Sequence, residues 1–286
     1  MQRAYTSHLW RYALILVAVG LALLPVVWMA TMAFKPHTEW VSTAGDLHWL
    51  PREPTFANFQ YIFTGETEAY SITHERTATK PIVSSLVTAL LGTAIAVIAG
   101  TMGAYAVSRF GVGRNLPLGV LQLRLFPPLA VMIPVMIMWA FIGAMDSWWG
   151  LSLIYGIVTL PFAFWLMKTF FDEVPQEIEE AALVEGCSWF RVFWKITLPM
   201  VKAALASTTL FVFILNWSEF LLALTLTQPQ VSTLPVLLNK FQSAVEGRLY
   251  GPQAAIGTVI TLPVVVLGIL IQKHLITGFS FGMLRR

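Results

Sequence analysis

Charge is what this 286-residue chain has least of: 18 Lys and Arg and 15 Asp and Glu make up 12% of it, against about 25% in soluble domains. No charged residue stands between Tyr12 and Phe34, or between Pro81 and Ser108. A water-soluble protein of this size cannot hide so much apolar surface, which excludes a soluble enzyme, a disordered tail and a nucleic-acid factor. The single cysteine, Cys187, excludes an intramolecular disulfide and a cysteine-based metal site. No G-x-x-x-x-G-K-[ST] run occurs, so the chain is no P-loop ATPase. Five histidines are scattered, and His37, His48 and His74 share a polar stretch without metal-ligand spacing, so no metal site is read. Nothing in the sequence sets a nucleophile beside a base, and no catalytic residue is assigned.

What is present is hydrophobicity, at 57% of residues, in runs that exceed the roughly 20 residues needed to cross a bilayer. Six spans are expected, at about 12–34, 82–107, 116–143, 150–171, 201–227 and 253–273. These lengths suit helices, and the alternating ten-residue segments of a barrel are missing. The first span is too long for a signal-peptide core and is read as uncleaved. Eleven Lys and Arg fall on one side of this arrangement and six on the other, with Arg124 inside a span. That excess puts both termini and the loop 172–200 in the cytoplasm. The loop 35–80 then lies outside, with Pro36, Pro51 and Pro54 among Trp40, Trp49, Phe56, Phe59, Tyr61 and Phe63. It reads either as a partly ordered cap or as a docking surface for an external partner.

The cytoplasmic loop predicts two short helices. Pro175 suits a first helical position, where its missing N–H costs nothing. Glu177, Glu179 and Glu180 follow, where carboxylates favour the helix dipole. Ile178, Ala181, Ala182 and Val184 supply an apolar, small-residue face, and Gly186 permits a sharp turn. Ser188 is the expected N-cap of a second helix carrying Trp189, Phe190, Phe193, Trp194 and Ile196, with Arg191 and Lys195 between them. Leu198-Pro199 is expected to end it. Such aromatic residues either lie flat on the lipid interface or pack against a partner.

The spacing Glu180-Ala181-Ala182, three residues, Gly186, nine residues, Ile196, one residue, Leu198-Pro199 resembles the EAA loop of permease subunits in binding-protein-dependent ABC importers. Glu185-Gly186-Cys187 stands where that family often has Asp-Gly-Ala. The runs Asn216 to Thr227 and Arg124 to Pro128 with Ile133-Pro134 are similar to the family's carbohydrate-type members, as is the tail Leu275 to Phe279 ending in Arg285-Arg286. Ser218 and Phe279 depart from the usual residues. The resemblance covers essentially the whole chain. It implies an all-α membrane fold of six transmembrane helices, a type I importer permease forming a single domain 1–286, with a two-helix cytoplasmic coupling loop. It also implies that Glu180, Ala181, Ala182, Glu185, Gly186, Ile196, Leu198 and Pro199 contact an ATPase. The implied function is ATP-driven uptake of a carbohydrate or polyol: a sugar, sugar alcohol, glycerol or glycerol phosphate. The implied partners are a second homologous permease, two ATPase copies that hold ATP and Mg, and a periplasmic substrate-binding protein. The chain itself would carry no cofactor and sit in a bacterial inner membrane.

Further residues are singled out by their cost. Gly92, Ala96, Gly100 and Ala104, each four apart, predict a helix-packing seam. Asn216, Ser218 and Glu219 place polar groups inside the fifth span, where an acid is expensive; they read as a structural polar pair, a gate or a pathway lining. Arg124 snorkels, pairs with an acid or faces a water-filled path. Prolines 127, 128, 134 and 161 mark expected kinks. The competing reading is an autonomous ion-gradient-driven secondary transporter or channel that uses Glu219. Against it stands the lack of an inverted repeat.

Overall fold

Apolar runs of this length become helices because a chain in hydrocarbon must satisfy its own N–H and C=O groups. The computed structural model describes residues 2–40, 48–67, 77–111, 113, 119, 122, 128–243 and 247–280. In chain order the helices are α1 (Gln2–Ala33), α2 (Ala57–Thr64), α3 (Thr79–Phe110), α4 (Pro128–Phe141), α5 (Trp148–Glu173) and α6 (Gln176–Val184). They continue with α7 (Trp189–Met200), α8 (Lys202–Trp217), α9 (Leu221–Leu226), α10 (Leu234–Leu238) and α11 (Tyr250–Ser280). A minimal antiparallel pair, β1 (Gln242–Ser243) with β2 (Gly247–Arg248), precedes α11. Among the described residues, Trp10–Ala33 of α1, α3, α5 and Tyr250–Leu270 of α11 are long and apolar enough to cross a bilayer.

Packing divides the chain into one unit of residues 1–79 and 237–262 and another of residues 80–236 and 263–286. In the first, the described part of the loop 35–80 is folded. Asn58 donates to the carbonyls of Ala33 and Lys35, both at 2.8 Å, and Trp40 Nε1 donates to Lys35 O at 3.0 Å. The buried Lys35 ammonium donates to His48 O and stands 4.5 Å from the centre of the Trp28 ring. Gly251 is required here, because a Cβ at that position would lie 2.3 Å from Asn58 Oδ1.

The second unit is organised around α3 and α5. The Gly92–Ala104 seam faces α5, as the four-residue repeat predicts. A Cβ on Gly92 would meet Tyr155 Cβ at 2.7 Å, and one on Gly100 would meet Ala163 Cβ at 2.8 Å, while Ala96 and Ala104 are fully buried. The two helices run parallel: Trp148 Nε1 donates to Ser84 Oγ (3.2 Å) at one end, and Ser108 Oγ donates to Asp172 Oδ1 (2.6 Å) at the other. Ser147 caps α5 by accepting from Gly150 N (3.1 Å). At the far end Pro175 forces Val174 into extended backbone, ψ 123°, and the helix stops.

Two expected spans need comment. The run 116–143 falls partly outside the described residues, and α4 is its described part. The run 201–227 is not one helix: α8 stops at Trp217, and α9 starts at Leu221 after a break. Pro134 and Pro161 sit inside helices that continue past them, Pro128 opens α4, and Pro127 lies outside the described residues.

Candidate functional site

The loop 172–200 folds as the two expected helices, and its hydrogen bonds explain why. Pro175 is the N-cap of α6, one residue earlier than expected, with φ −58° and ψ 129°. At the other end Gly186 N donates to Leu183 O (2.9 Å) and Cys187 N to Ala182 O (3.0 Å), with Gly186 at φ +88°. This pair of bonds is a Schellman motif, which needs a left-handed residue at the position Gly186 occupies. Ser188 Oγ then caps α7 by accepting from Arg191 N at 3.4 Å. Pro199 does not end the second helix. The chain continues to Met200, turns at Val201 (φ −98°, ψ 16°), and α8 leaves at 79° to α7. Residues Phe193–Thr197 form a π-turn just before Pro199, whose missing N–H already breaks the helical ladder there.

The expected contact residues separate by face. Of these, Glu180, Ala181 and Glu185 lie on one exposed helical stripe, which Glu177 and Val184, not among the expected contacts, complete; Val184 is 89% exposed. Ala182 points the other way and is buried, so the two alanines do not form one docking surface. Gly186 and Pro199 are exposed, whereas Ile196 and Leu198 are half-buried. Of the aromatic residues on α7, Phe193 turns inward against Tyr105 (ring centres 4.8 Å apart), and Trp189, Phe190 and Trp194 remain exposed.

Glu179, read from sequence only as a dipole-matched first-turn acid, anchors the loop. It is 1% exposed and pairs with Arg109 of α3, whose Nε donates to Oε2 at 2.6 Å. Thr197 of α7 donates to its other oxygen, also at 2.6 Å. Arg109 further donates to Val174 O (3.1 Å) and to Ser108 Oγ (3.1 Å). One buried carboxylate therefore joins the end of α3, both loop helices and the residue leaving α5. The sequence signal was Arg109 itself, the first charged residue after a long uncharged helix. Its partner 70 residues away is invisible without the fold.

The second polar group lies at the break after α8. Asn216 Nδ2 donates to Thr93 Oγ1 (3.1 Å), midway along α3, and both are buried. Glu219 accepts from Leu222 N (2.9 Å) and Ala223 N (3.1 Å), one bond to each carboxylate oxygen, and so caps α9. Ser218 is exposed and donates to Ile214 O of its own helix (2.6 Å). The side chains of Asn216 and Glu219 serve separate partners rather than each other, and Arg124 lies outside the described residues.

A residue that the sequence reading missed closes the far end. Asp146 has φ +49°, the only positive φ outside glycine among the described residues. Its carboxylate accepts from Gln228 N (2.8 Å), Gln230 N (3.3 Å) and Val231 N (3.0 Å), and its own N–H donates to Leu226 O (2.9 Å). Its signal was isolation, since no other charge occurs between Arg124 and Lys168.

Comparison with known proteins agrees with this geometry. The family model described as "binding-protein-dependent transport system inner membrane component" matches residues 92–280. The trehalose transport system permease protein SugB of Mycobacterium tuberculosis is 32% identical, with 94% of each chain covered. The galactooligosaccharides transport system permease protein GanQ of Bacillus subtilis is 29% identical, over 98% of this chain and 96% of that protein. Among solved structures, a chain of a bacterial ABC transporter involved in import of the acidic polysaccharide alginate superposes with a TM-score of 0.76 at 20% identity. That match covers 96% of this chain and 98% of the other, and it shows the fold alone.

Proposed function

From the premise that the chain belongs to the family of binding-protein-dependent transport system inner membrane components, we propose that it forms half of a membrane pathway for a carbohydrate or polyol. It is a transport subunit and not an enzyme. The substrate class rests on the relatives, whose names give trehalose and galactooligosaccharides. A second homologous permease completes the pathway, a periplasmic binding protein delivers substrate, and two ATPase copies bind ATP and Mg.

The observation that carries the coupling role is the α6 stripe. Glu177, Glu180, Ala181, Val184 and Glu185 are exposed on a short helix whose opposite face is locked by the Arg109–Glu179 pair. An exposed apolar and acidic face on a rigid mount suits docking in a cleft. When the ATPases close on ATP, the docked helix moves as a rigid body and carries α3 with it, and access changes side. Each state must bind its ligand better than the other for the cycle to advance.

Topology supports the six-span arrangement with both termini inside. Because α3 and α5 run parallel, the chain between Phe110 and Ser147 has to return the length of the helix. Asn216 joins the α8–α9 break to Thr93, midway along α3, and we place the gate at that depth, with Ser218 and Glu219 next along the chain. The alternative of an ion-gradient carrier needs Glu219 to exchange protons or ions. Its two oxygens already accept backbone N–H groups, which favours a structural role instead.

The test is purification from mild-detergent membranes, reconstitution into liposomes and uptake with and without ATP. The expected result is co-purification of a P-loop ATPase and a second permease, with uptake that stops without ATP. Val184→Asp is expected to abolish ATP-dependent uptake while the chain still folds. A chain that purifies alone and transports along an ion gradient overturns the proposal. Thermal-shift screening of the co-purified binding protein against sugars, polyols and glycerol phosphates then names the substrate.

A further inference from the structure

Helix α7 has two surfaces of opposite chemistry. Phe110 of α3 stands 4.9 Å from Trp189, ring centre to ring centre, and between α3 and α7 an open groove of about 210 Å³ is walled by Met102, Tyr105, Trp189, Phe190 and Trp194. Phe190 is 72% exposed and Trp194 50%. The wall Met102–Phe110 belongs to the last turns of α3, a helix long and apolar enough to cross a membrane, so the groove lies at one end of that helix and not along its middle. Arg191 and Lys195 each follow a lining residue along α7, Phe190 and Trp194, both are exposed and neither is in an ion pair among the described residues, and Lys202 follows at the bend. No acidic residue occurs from Trp189 to Met200. The 79° turn into α8 lays α7 across the direction of the membrane helix that follows it.

We propose that this groove is a site for one anionic phospholipid, its acyl chain between Trp189, Trp194 and Met102 and its phosphate held by Arg191 and Lys195. An aromatic, cation-rich helix lying in the interface plane binds through both terms at once, apolar burial and attraction to anionic headgroups. The lipid touches the coupling machinery directly, because Thr197 of α7 holds the Glu179 carboxylate of α6. Headgroup charge therefore sets how firmly the coupling helix is mounted. The inference rests on the cytoplasmic placement of this loop given above.

The assembled transporter, purified with its partners into nanodiscs, is exposed to phosphatidylglycerol carrying a photoreactive acyl chain, and adducts are mapped by peptide mass spectrometry. Phosphatidylcholine with the same chain is the control. Adducts on Trp189, Phe190, Trp194 or Met102 are expected to form several-fold more with phosphatidylglycerol. Arg191→Ala with Lys195→Ala removes that preference while ATP-dependent uptake persists, at a lower rate. Equal labelling by both lipids, or adducts confined to other surfaces, overturns the site. So does a photoreactive amino acid at Phe190 that cross-links mainly to a partner subunit. A preparation that labels as expected but transports without ATP keeps the lipid site and sinks the importer reading, so the two failures are distinguishable. Should the double alanine variant not assemble, Arg191→Gln alone is expected to lower the preference by a smaller factor, and an unchanged preference in it overturns the proposal.

Discussion

Glu179 and Glu180 are neighbours with opposite fates, and the difference comes from where α6 turns each side chain. Glu180 faces out; Glu179 faces Arg109, and both members of that pair are almost fully buried. Removing one member of such a pair strands the other, at a cost of about 3–5 kcal/mol. Arg109→Gln is therefore expected to lower the thermal stability of the purified transporter strongly, whereas Arg109→Gln with Glu179→Gln recovers most of it. A double-mutant cycle read by thermal unfolding in detergent checks this, and additive losses would show that the pair is not coupled. Gly186 gives a second residue-level test. A Cβ there meets no atom, but φ is +88°, so only backbone strain opposes substitution. Gly186→Ala is expected to cost about 1–2 kcal/mol and Gly186→Asn less, with uptake retained. Gly186→Asp keeps a tolerated backbone but adds charge to the docking face, and is expected to lose complex assembly.

Among elements, the α3–α5 contact and the α8–α9 break follow different rules. Helices in lipid associate through close packing, since lipid tails are as apolar as leucine. Gly100 sits where a Cβ would lie 2.8 Å from both Ala163 Cβ and Phe164 N, while Gly103 would meet only the edge of the Phe164 ring at 3.4 Å. Gly100→Leu is expected to part the helices and lower folded yield several-fold, and Gly103→Ala to leave it nearly unchanged, as size-exclusion profiles in detergent will show. At the break, backbone amides of α9 are satisfied by Glu219. Glu219→Gln keeps one acceptor oxygen, so it is expected to cost about 1 kcal/mol of stability and to leave the uptake of the folded transporter nearly unchanged. Glu219→Leu leaves two N–H groups without an acceptor and is expected to reduce folded protein. Uptake abolished by Glu219→Gln in a well-folded transporter would instead put the carboxylate in the pathway.

Over the whole molecule, the same polar residues that are costly in lipid are the ones that join elements. Arg109 and Glu179 tie α3 to the loop 172–200, Asn216 ties α8 to the middle of α3, and Asp146 closes the chain between α9 and α10. Each sits at an end or a break of a helix, where backbone groups need partners. The apolar stretch of α1 from Trp10 to Val27 is exposed along its whole length and presents a surface to lipid or to a partner subunit. Cysteine pairs between this surface and the partner subunit will tell these apart, and cross-linking is expected at only one face of the helix.

Membrane residence, helical class and the two-helix loop with its Gly186 turn and Ser188 cap were legible in the sequence, because each follows from local chemistry: uncharged length, helical spacing, one flexible residue, one capping hydroxyl. The Gly92–Ala104 seam was legible for the same reason, as small residues four apart lie on one face of any helix. Tertiary structure alone decided that Ala182 turns inward while Ala181 does not, that Phe193 packs inside its own chain, and that the fifth apolar run breaks at Ser218. It alone chose Arg109 for Glu179 and set the Asp146 carboxylate against the amides of Gln228, Gln230 and Val231. Those outcomes depend on partners tens of residues away in the chain, and a hydrophobic pattern carries no record of which distant group a buried charge will meet.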